Sequence, residues 1–382
     1  KDIIEKTLIS NGATKLDGKW TYKGTPILIK ILIRTDDLPR KSMGETLANQ
    51  LENIGFTVQR DYGDLNKANL IVYGTDPQEL TWQVYTEAFG GTSEFVRYNP
   101  STVAQMYAPY FSSMPGWTNP AFWNYQNSSL DNITQRIAFS NFTSEEERNE
   151  LLRQALNLGI QESVRIFATQ NIDPYVASSS IKGLINDFGA GISTSKSLIN
   201  ARSTKNTSTI NVGVKEIYQG AWNSVGGCKD IYCTNILSLV SDPATSRNPY
   251  NGEVMPLRNE WTNITTMGPD KRLAVDSDAL TWNPHNQSWE EVGKNTSKSK
   301  VTFHIVYSNW QNGQPMNKAD LLYPLYFLYE WSSKNNSTDL TYDPEYAAQA
   351  QVALKYLRGT KFLMARNVNS FFDYWIFVKM EI

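Results

Sequence analysis

Apolar positions along this chain alternate between helical and extended periods, and the switches between them mark the elements. Residues 1–12 carry Ile3, Ile4 and Leu8 at amphipathic helical spacing, and the pattern stops near Asn11-Gly12. Pro26 to Ile33 is a nearly continuous apolar run, the pattern of a strand covered on both faces. Met43, Leu47, Leu51 and Ile54 then recur at helical spacing, and Gly55 stands where a left-handed cap belongs. Phe56–Gln59 and Asn69–Tyr73 read as the next two strands. Strand, helix and strand joined by short links make a βαβ unit, so a mostly parallel sheet is predicted.

Further along, Ser144 with Glu147 has the capping-box spacing, and acidic residues 145–147 suit the positive end of a helix. Leu152, Ala155, Leu156, Ile160, Val164 and Phe167 would continue its apolar face. Residues 193–209 are dominated by Ser, Thr, Asn and Lys and read as a linker. The predicted organisation is a domain over 1–192, the linker 193–209 and a domain over 210–382. Within the second domain, Ile210–Val214 and Val301–Tyr307 read as strands. Asn317 caps a helix through Leu321 to Trp331, bent near Pro324. Another helix has Asp343 as cap, Pro344 in its first turn and Gly359 beyond its end. Tyr374–Lys379 reads as a last strand. The chain opens inside a helix and closes on a strand, which suggests a fragment of a longer precursor.

Composition narrows the function. The chain has 382 residues, a length that suits two domains. A net charge of −2, with no sustained Lys/Arg run, argues against nucleic acid or an anionic membrane as partner. No apolar run approaches the roughly 20 residues of a membrane helix. The 11 Trp, 20 Tyr and 15 Phe fit core packing and equally fit a cleft lined with flat rings. No Gly-x-Ser-x-Gly elbow, phosphate loop or His-Glu-x-x-His occurs, and Gly55 and Gly63 do not form a dinucleotide fingerprint. Asp270, Asp276 and Asp278 near Lys271-Arg272 offer a carboxylate pair, although scattered acidic loops are more often solvated surface. The expectation is a protein that is not an enzyme and holds no metal or cofactor.

Cys228 and Cys233 are the two cysteines. Idle thiols, a metal site and a short-loop disulfide are the alternatives. With His285 and His304 the only histidines, zinc is disfavoured, and a disulfide in an oxidising compartment is the preferred reading. Nine Asn-x-Ser/Thr acceptors agree with that compartment: Asn127, Asn132, Asn141, Asn206, Asn263, Asn286, Asn295, Asn335 and Asn336. They suggest a glycosylated surface protein from an archaeon or a eukaryote.

Several motifs fall in a recognisable order. Ala48–Val58 is a helix-Ile-Gly-strand stretch. Tyr125–Ile133 precedes the acidic turn Thr143–Arg148 and Leu151–Ala155, and Ser180–Leu184 closes the run. This set, over about residues 1–190, resembles the second lobe of family 5 extracellular solute-binding proteins, the dipeptide, oligopeptide and nickel group. Thr234–Asp242, Asn251–Trp261, Thr302–Ile305 and Trp310–Asp320 resemble that family's first lobe, with Thr234–Asp242 matching its opening strand. Here the first-lobe motifs follow those of the second lobe, the reverse of the usual order and the arrangement of large archaeal members.

The resemblance implies an α/β fold of the two-lobed periplasmic-binding-protein type (type II), with mixed, mostly parallel sheets and a ligand held between lobes. It implies capture of a peptide or an oligosaccharide at the cell surface and delivery to an ABC-transporter permease. The remainder of the precursor would be a further partner and would carry the membrane anchor. It also points to Trp82–Gly91 as groove lining. Trp82, Tyr85 and Phe89 would wall in the solute, and Glu87 would pair with a peptide amino group or accept sugar hydroxyls. Core packing for Trp82 and Phe89, and an ion pair of Glu87 with Arg97, are the structural alternatives. Trp117 sits on an expected loop, where it either contacts ligand or packs on the lobe edge. A glycosylated surface-assembly protein that reuses the fold is the rival function.

Overall fold

The computed structural model describes residues 2–89, 101–111, 113–117, 119–170, 172, 174–214, 222–223, 227–228, 231–364 and 366–375. The fold is α/β, and the chain divides into two compact units. The first comprises 1–90, 113–125 and 216–221; the second comprises 91–112, 126–215 and 222–382. The division thus falls elsewhere than at 193–209.

The first unit opens with α1 (Asp2–Ser10), which ends before Gly12 at φ 85°. A three-stranded antiparallel meander follows: β1 (Ala13–Leu16), β2 (Lys19–Tyr22) and β3 (Thr25–Pro26). Its Trp20 is 2% exposed and donates Nε1–H to the Ile54 carbonyl at 2.9 Å. β4 (Leu28–Arg34), α2 (Leu38–Asn53) and β5 (Thr57–Gly63) form the predicted βαβ unit. Asp37 caps α2 by accepting from the Arg40 amide at 3.0 Å. At the α2–β5 turn, Gly55 has φ 109°, and a Cβ there would lie 2.7 Å from the Gly18 carbonyl, so only glycine fits.

β4 is the centre of an all-parallel sheet in the order β5-β4-β6, where β6 is Val84–Tyr85. Its alternate side chains serve two layers. Ile31 and Ile33 pack with Ala48 of α2, while Leu32 packs on Ala68 and Val72 on the opposite face. This two-sided burial explains the nearly continuous apolar run.

The run Asn69–Tyr73 is not the expected strand. Asp64 accepts from the Lys67 amide at 2.9 Å and starts α3 (Leu65–Ala68) directly after β5, and Asn69–Tyr73 continues it as a π-helical turn. Ala68 and Val72, four residues apart, then face Leu32, a helical use of apolar residues that an extended pattern fits equally well. The third strand is β6 instead.

In the second unit, α4 (Thr102–Tyr107), α5 (Ser128–Ala138) and α6 (Glu145–Glu162) pack around Tyr107, Leu130, Ile137, Phe142 and Leu151. Ser144 caps α6, but the Glu147 carboxylate takes the amide and hydroxyl of Thr143, at 2.6 and 2.7 Å. The buried face of α6 is Leu151, Ala155 and Gly159, which rides on the Tyr107 ring; a Cβ at Gly159 would lie 2.5 Å from that ring. Leu156 and Ile160 are consequently exposed, and Val164 and Phe167 lie beyond the helix end.

The polar stretch 193–209 carries structure. β7 (Ile181–Lys182) pairs with β8 (Arg202–Ser203), and α7 (Ser195–Asn200) lies between them. Ser197, fully buried, bonds both the amide and the carbonyl of Ile185, at 2.9 and 2.8 Å. Its hydroxyl does internal work that composition reads as linker. Residues 210–214 form no strand, and Val212 and Val214 are exposed.

Short elements follow: β9 (Trp222–Asn223), β10 (Gly227–Cys228) and α8 (Ile231–Leu237). α8 occupies Thr234–Leu237, where the resemblance implied a strand. Cys228 and Cys233 are joined as a disulfide with Cα atoms 5.6 Å apart. β11 (Thr245–Arg247) and β12 (Val254–Pro256) make a hairpin.

The largest sheet joins β13 (Asn259–Thr266), β15 (Leu280–Asn283), β16 (Ser288–Glu291), β18 (Ser299–Ile305), β19 (Leu357–Phe362) and β20 (Asn367–Phe372) in the order β13-β18-β20-β19-β15-β16. β14 (Leu273–Ala274) and β17 (Thr296–Ser297) form a small pair. The six-stranded sheet is antiparallel throughout, so among the described residues parallel pairing belongs to β4, β5 and β6. α9 (Lys318–Glu330) starts in a full capping box of Asn317 and Asp320 and contains Pro324. α10 (Pro344–Tyr356) is capped by Asp343. Gly359 lies three residues beyond the end of α10, inside β19 at a register shift, and its φ of 151° accommodates that bulge. The strand expected over 374–379 falls largely outside the described residues.

Candidate functional site

In open parallel sheets, ligands sit beyond the carboxyl ends of the strands. In the first unit those ends are Arg34, Gly63 and Tyr85, and a network of polar side chains joins them. Arg34 is 5% exposed. Its Nε and Nη2 donate to the two oxygens of Asp36, each at 2.6 Å, a bidentate fork. Its Nη1 donates to the Tyr85 hydroxyl at 3.1 Å, and its backbone amide to Thr86 Oγ1 at 3.0 Å. Asp36 also accepts from the Leu65 amide at 3.3 Å, which ties the start of α3 to the same cluster.

The electrostatics follow from this geometry. Burial opposes charge on both partners, but hydrogen bonding and attraction between them prevail. The Arg34 guanidinium is therefore held above its ordinary pKa and the Asp36 carboxyl below the usual carboxylate value. Burial raises the Tyr85 phenol, against the downward pull of Arg34, and the charge of Glu87 adds to the rise. The Tyr73 hydroxyl donates to Glu87 at the same edge of the sheet.

The five candidates from the sequence separate into distinct environments. Tyr85 belongs to the Arg34–Asp36 network and also packs on the Leu32–Val72 core. Trp82 packs on that core too, with its Nε1 buried and without an acceptor among the described residues. Glu87 bonds Tyr73; Arg97, its expected partner, lies outside the described residues. Phe89 is 45% exposed just past the strand. Trp117 is half-buried on a loop, where its carbonyl accepts from Trp123 Nε1 at 3.2 Å. The neighbouring Gly116 amide donates to the Val72 carbonyl, which places this loop against the turn bearing Tyr73.

Sequence reasoning missed Arg34, Asp36 and Tyr73, and it placed Thr86 in the Trp82–Gly91 stretch without giving it a role. The signal for the first two was Arg34-Thr35-Asp36-Asp37, three charged residues in a run of four directly after the apolar strand. This arrangement can fix polar groups rigidly at the end of a sheet and present them for hydrogen bonding.

Other candidate chemistry is accounted for locally. Asp276 and Asp278 pair with Lys361, at 3.5 and 2.9 Å. Among the described residues no group of three or more His, Cys, Asp or Glu is placed to hold a metal ion. His304 Nδ1 lies 3.1 Å from Asn367 Oδ1.

The nine acceptor asparagines fall into two groups. Asn132, Asn141, Asn206, Asn263, Asn286, Asn295 and Asn336 are exposed. Asn127 and Asn335 are half-buried with the amide nitrogen engaged, Asn127 donating to Glu162 at 2.8 Å and Asn335 to the Pro284 carbonyl at 3.1 Å.

No family model matches the chain. No curated protein matches it either. Among solved structures, a nickel ABC transporter protein from Bacillus halodurans is similar over 43% of this chain and 30% of its own length, at 15% identity and a TM-score of 0.33. NikZ from Campylobacter jejuni, in complex with Ni(L-His), is similar over 40% of this chain and 28% of its own, at 17% identity and a TM-score of 0.30. The matched region thus spans less than a third of either neighbour.

Proposed function

We propose that this chain supplies a ligand-binding unit of an extracellular solute-binding protein, which captures a peptide or an oligosaccharide and delivers it to an ABC-transporter permease without chemical conversion. The observation that carries this reading is the polar network at the carboxyl end of the β5-β4-β6 sheet, where Arg34, Asp36, Tyr85, Thr86, Tyr73 and Glu87 gather. A sheet end of this kind is the usual ligand position of α/β folds. The ordered motifs between Ala48 and Asp320 add support, as do the disulfide and the exposed glycan acceptors for an extracellular setting. No helix among the described residues is long and apolar enough to cross a membrane.

The test is a titration of native protein with peptide and oligosaccharide pools, followed by tryptophan fluorescence and calorimetry. Saturable binding that weakens at least tenfold in Glu87→Gln or Trp117→Ala supports the proposal. Absence of binding to every pool refutes it.

One observation favours the rival, a glycosylated surface-assembly protein. Ile166, Phe167, Ile172 and Val176 are 82%, 68%, 91% and 93% exposed, an unusual density of solvent-facing apolar side chains. Electron microscopy of native material separates the two: a lattice or filament favours assembly, and single particles favour capture.

A further inference from the structure

A second polar concavity lies within the second unit, where α5, the turn that follows it, the β17–β18 junction and the last turn of α10 meet. It measures about 320 Å³ and is lined by Asn132, Gln135, Arg136, Phe139, Asn141, Lys298 and Lys355. That volume is at the low end of the range for small-molecule sites. Three of the seven lining residues are cationic, and none is a carboxylate. Arg136 is neutralised by an ion pair with Glu147, which leaves Lys298 and Lys355 as the wall cations without an ion pair among the described residues.

Those two ammonium groups are anchored on successive residues of one turn. Lys298 Nζ donates to the Ser140 carbonyl over a long 3.5 Å, and Lys355 Nζ lies 3.6 Å from the centre of the Phe139 ring. An ammonium has three N–H donors, so each lysine keeps donors to offer. Lys298 is half-buried, and that desolvation holds its pKa below the ordinary lysine value. Two acids act on it from a distance: Asp373, which is clamped between Arg272 and Arg358, and Asp270; neither forms an ion pair with it among the described residues.

The turn is built to hold this arrangement. Ser140 is 1% exposed and has φ 51°, a left-handed conformation that non-glycine residues rarely adopt. The Tyr356 hydroxyl pins it, bonding the Ala138 carbonyl and lying 3.1 Å from Ser140 Oγ. Arg136 Nε adds a bond to the Asn141 carbonyl at 3.2 Å. Backbone strain that is held this firmly tends to occur at functional positions.

We propose that this concavity is a binding site for a divalent oxyanion of the phosphate or sulfate type, with Lys298 and Lys355 as its charge partners and Gln135 as an amide donor. The oxyanion is either a free ion or the phosphoryl group of a larger molecule. The inference is independent of the solute-binding reading, since it uses none of the residues at the β5-β4-β6 sheet end.

The test is calorimetry on the unglycosylated full chain at low ionic strength, with inorganic phosphate, sulfate and glycerol 3-phosphate as titrants and chloride as control. Saturable binding of the divalent anions is expected. It should weaken about tenfold in Lys298→Gln and in Lys355→Gln, and vanish in the double variant. Tighter binding of glycerol 3-phosphate would assign the phosphoryl group of a larger molecule; equal or weaker binding would assign the free ion. The same anions should raise the melting temperature of the parent chain but not of the double variant. If Lys298→Gln misfolds by circular dichroism, the exposed Lys355→Gln gives the same readout. No saturable binding at millimolar anion, or binding that survives the double substitution, overturns the proposal.

Discussion

Replacing Asp36 with Asn tests whether the Arg34 fork organises the sheet end. In the native chain the guanidinium is 5% exposed, and both oxygens of Asp36 accept from it at 2.6 Å. Asp36→Asn keeps one acceptor, places an NH2 group against a guanidinium N–H and leaves a buried cation without its counter-charge. Removing one partner of a buried pair costs about 3–5 kcal/mol, because the remaining charge is uncompensated. The Leu65 amide shares Oδ2 with Arg34 Nη2, so the oxygen that Asn retains can still accept from it. Against a typical domain stability of about 5–15 kcal/mol, that loss is a large fraction.

Two compact units need not unfold together, so the readout is local: hydrogen exchange of peptides spanning β4 and β5, with urea melts alongside. The double variant Arg34→Met/Asp36→Leu should regain most of the loss, since an apolar pair removes both desolvation costs. The pH dependence has a definite sign. The Asp36 carboxyl is depressed in the folded state, so its contribution is fully present above its unfolded value of about 3.9 and lost as pH falls through the lower folded value. Asp36→Asn should therefore flatten the acid limb of the stability profile. A single-variant loss under about 1 kcal/mol, or a double variant no more stable than the single, would refute the reasoning.

Two other outcomes are expected. Glu330 is 1% exposed and accepts from Trp282 Nε1, Gln287 Nε2 and Thr341 Oγ1, at 2.6, 2.7 and 3.0 Å. Gln287 is exposed and can turn to water, and Thr341 Oγ1 also reaches Asp339 Oδ1 at 2.9 Å, so Glu330→Ala strands chiefly the indole, for a loss of about 1–3 kcal/mol in chemical denaturation. Glycopeptide mass spectrometry of native protein should find occupancy concentrated at the seven exposed acceptors and lowest at Asn127 and Asn335; dominant occupancy at those two would contradict the exposure argument.

What the sequence determined by itself is the local chemistry. Most of the Pro26–Ile33 run became the central strand β4, doubly covered at Ile31–Ile33, because a strand buried on both faces has no polar register to keep. The caps at Ser144, Asn317 and Asp343 stand where their side chains meet nearby amides, an interaction complete within four residues. The cysteine pair is equally local.

Wherever a residue's role depends on a distant partner, the tertiary structure decided. Asn69–Tyr73 reads equally well as strand or helix until Leu32 supplies the surface that Ala68 and Val72 cover. Ser197 looks like linker until the backbone of Ile185 reaches it. Arg34 and Tyr85 are 51 positions apart and meet only because β4 and β6 lie side by side. Spacing along the chain encodes interactions that close within a helical turn or a hairpin; pairings across a parallel sheet are set by which strands become neighbours, and a linear pattern carries no record of that choice.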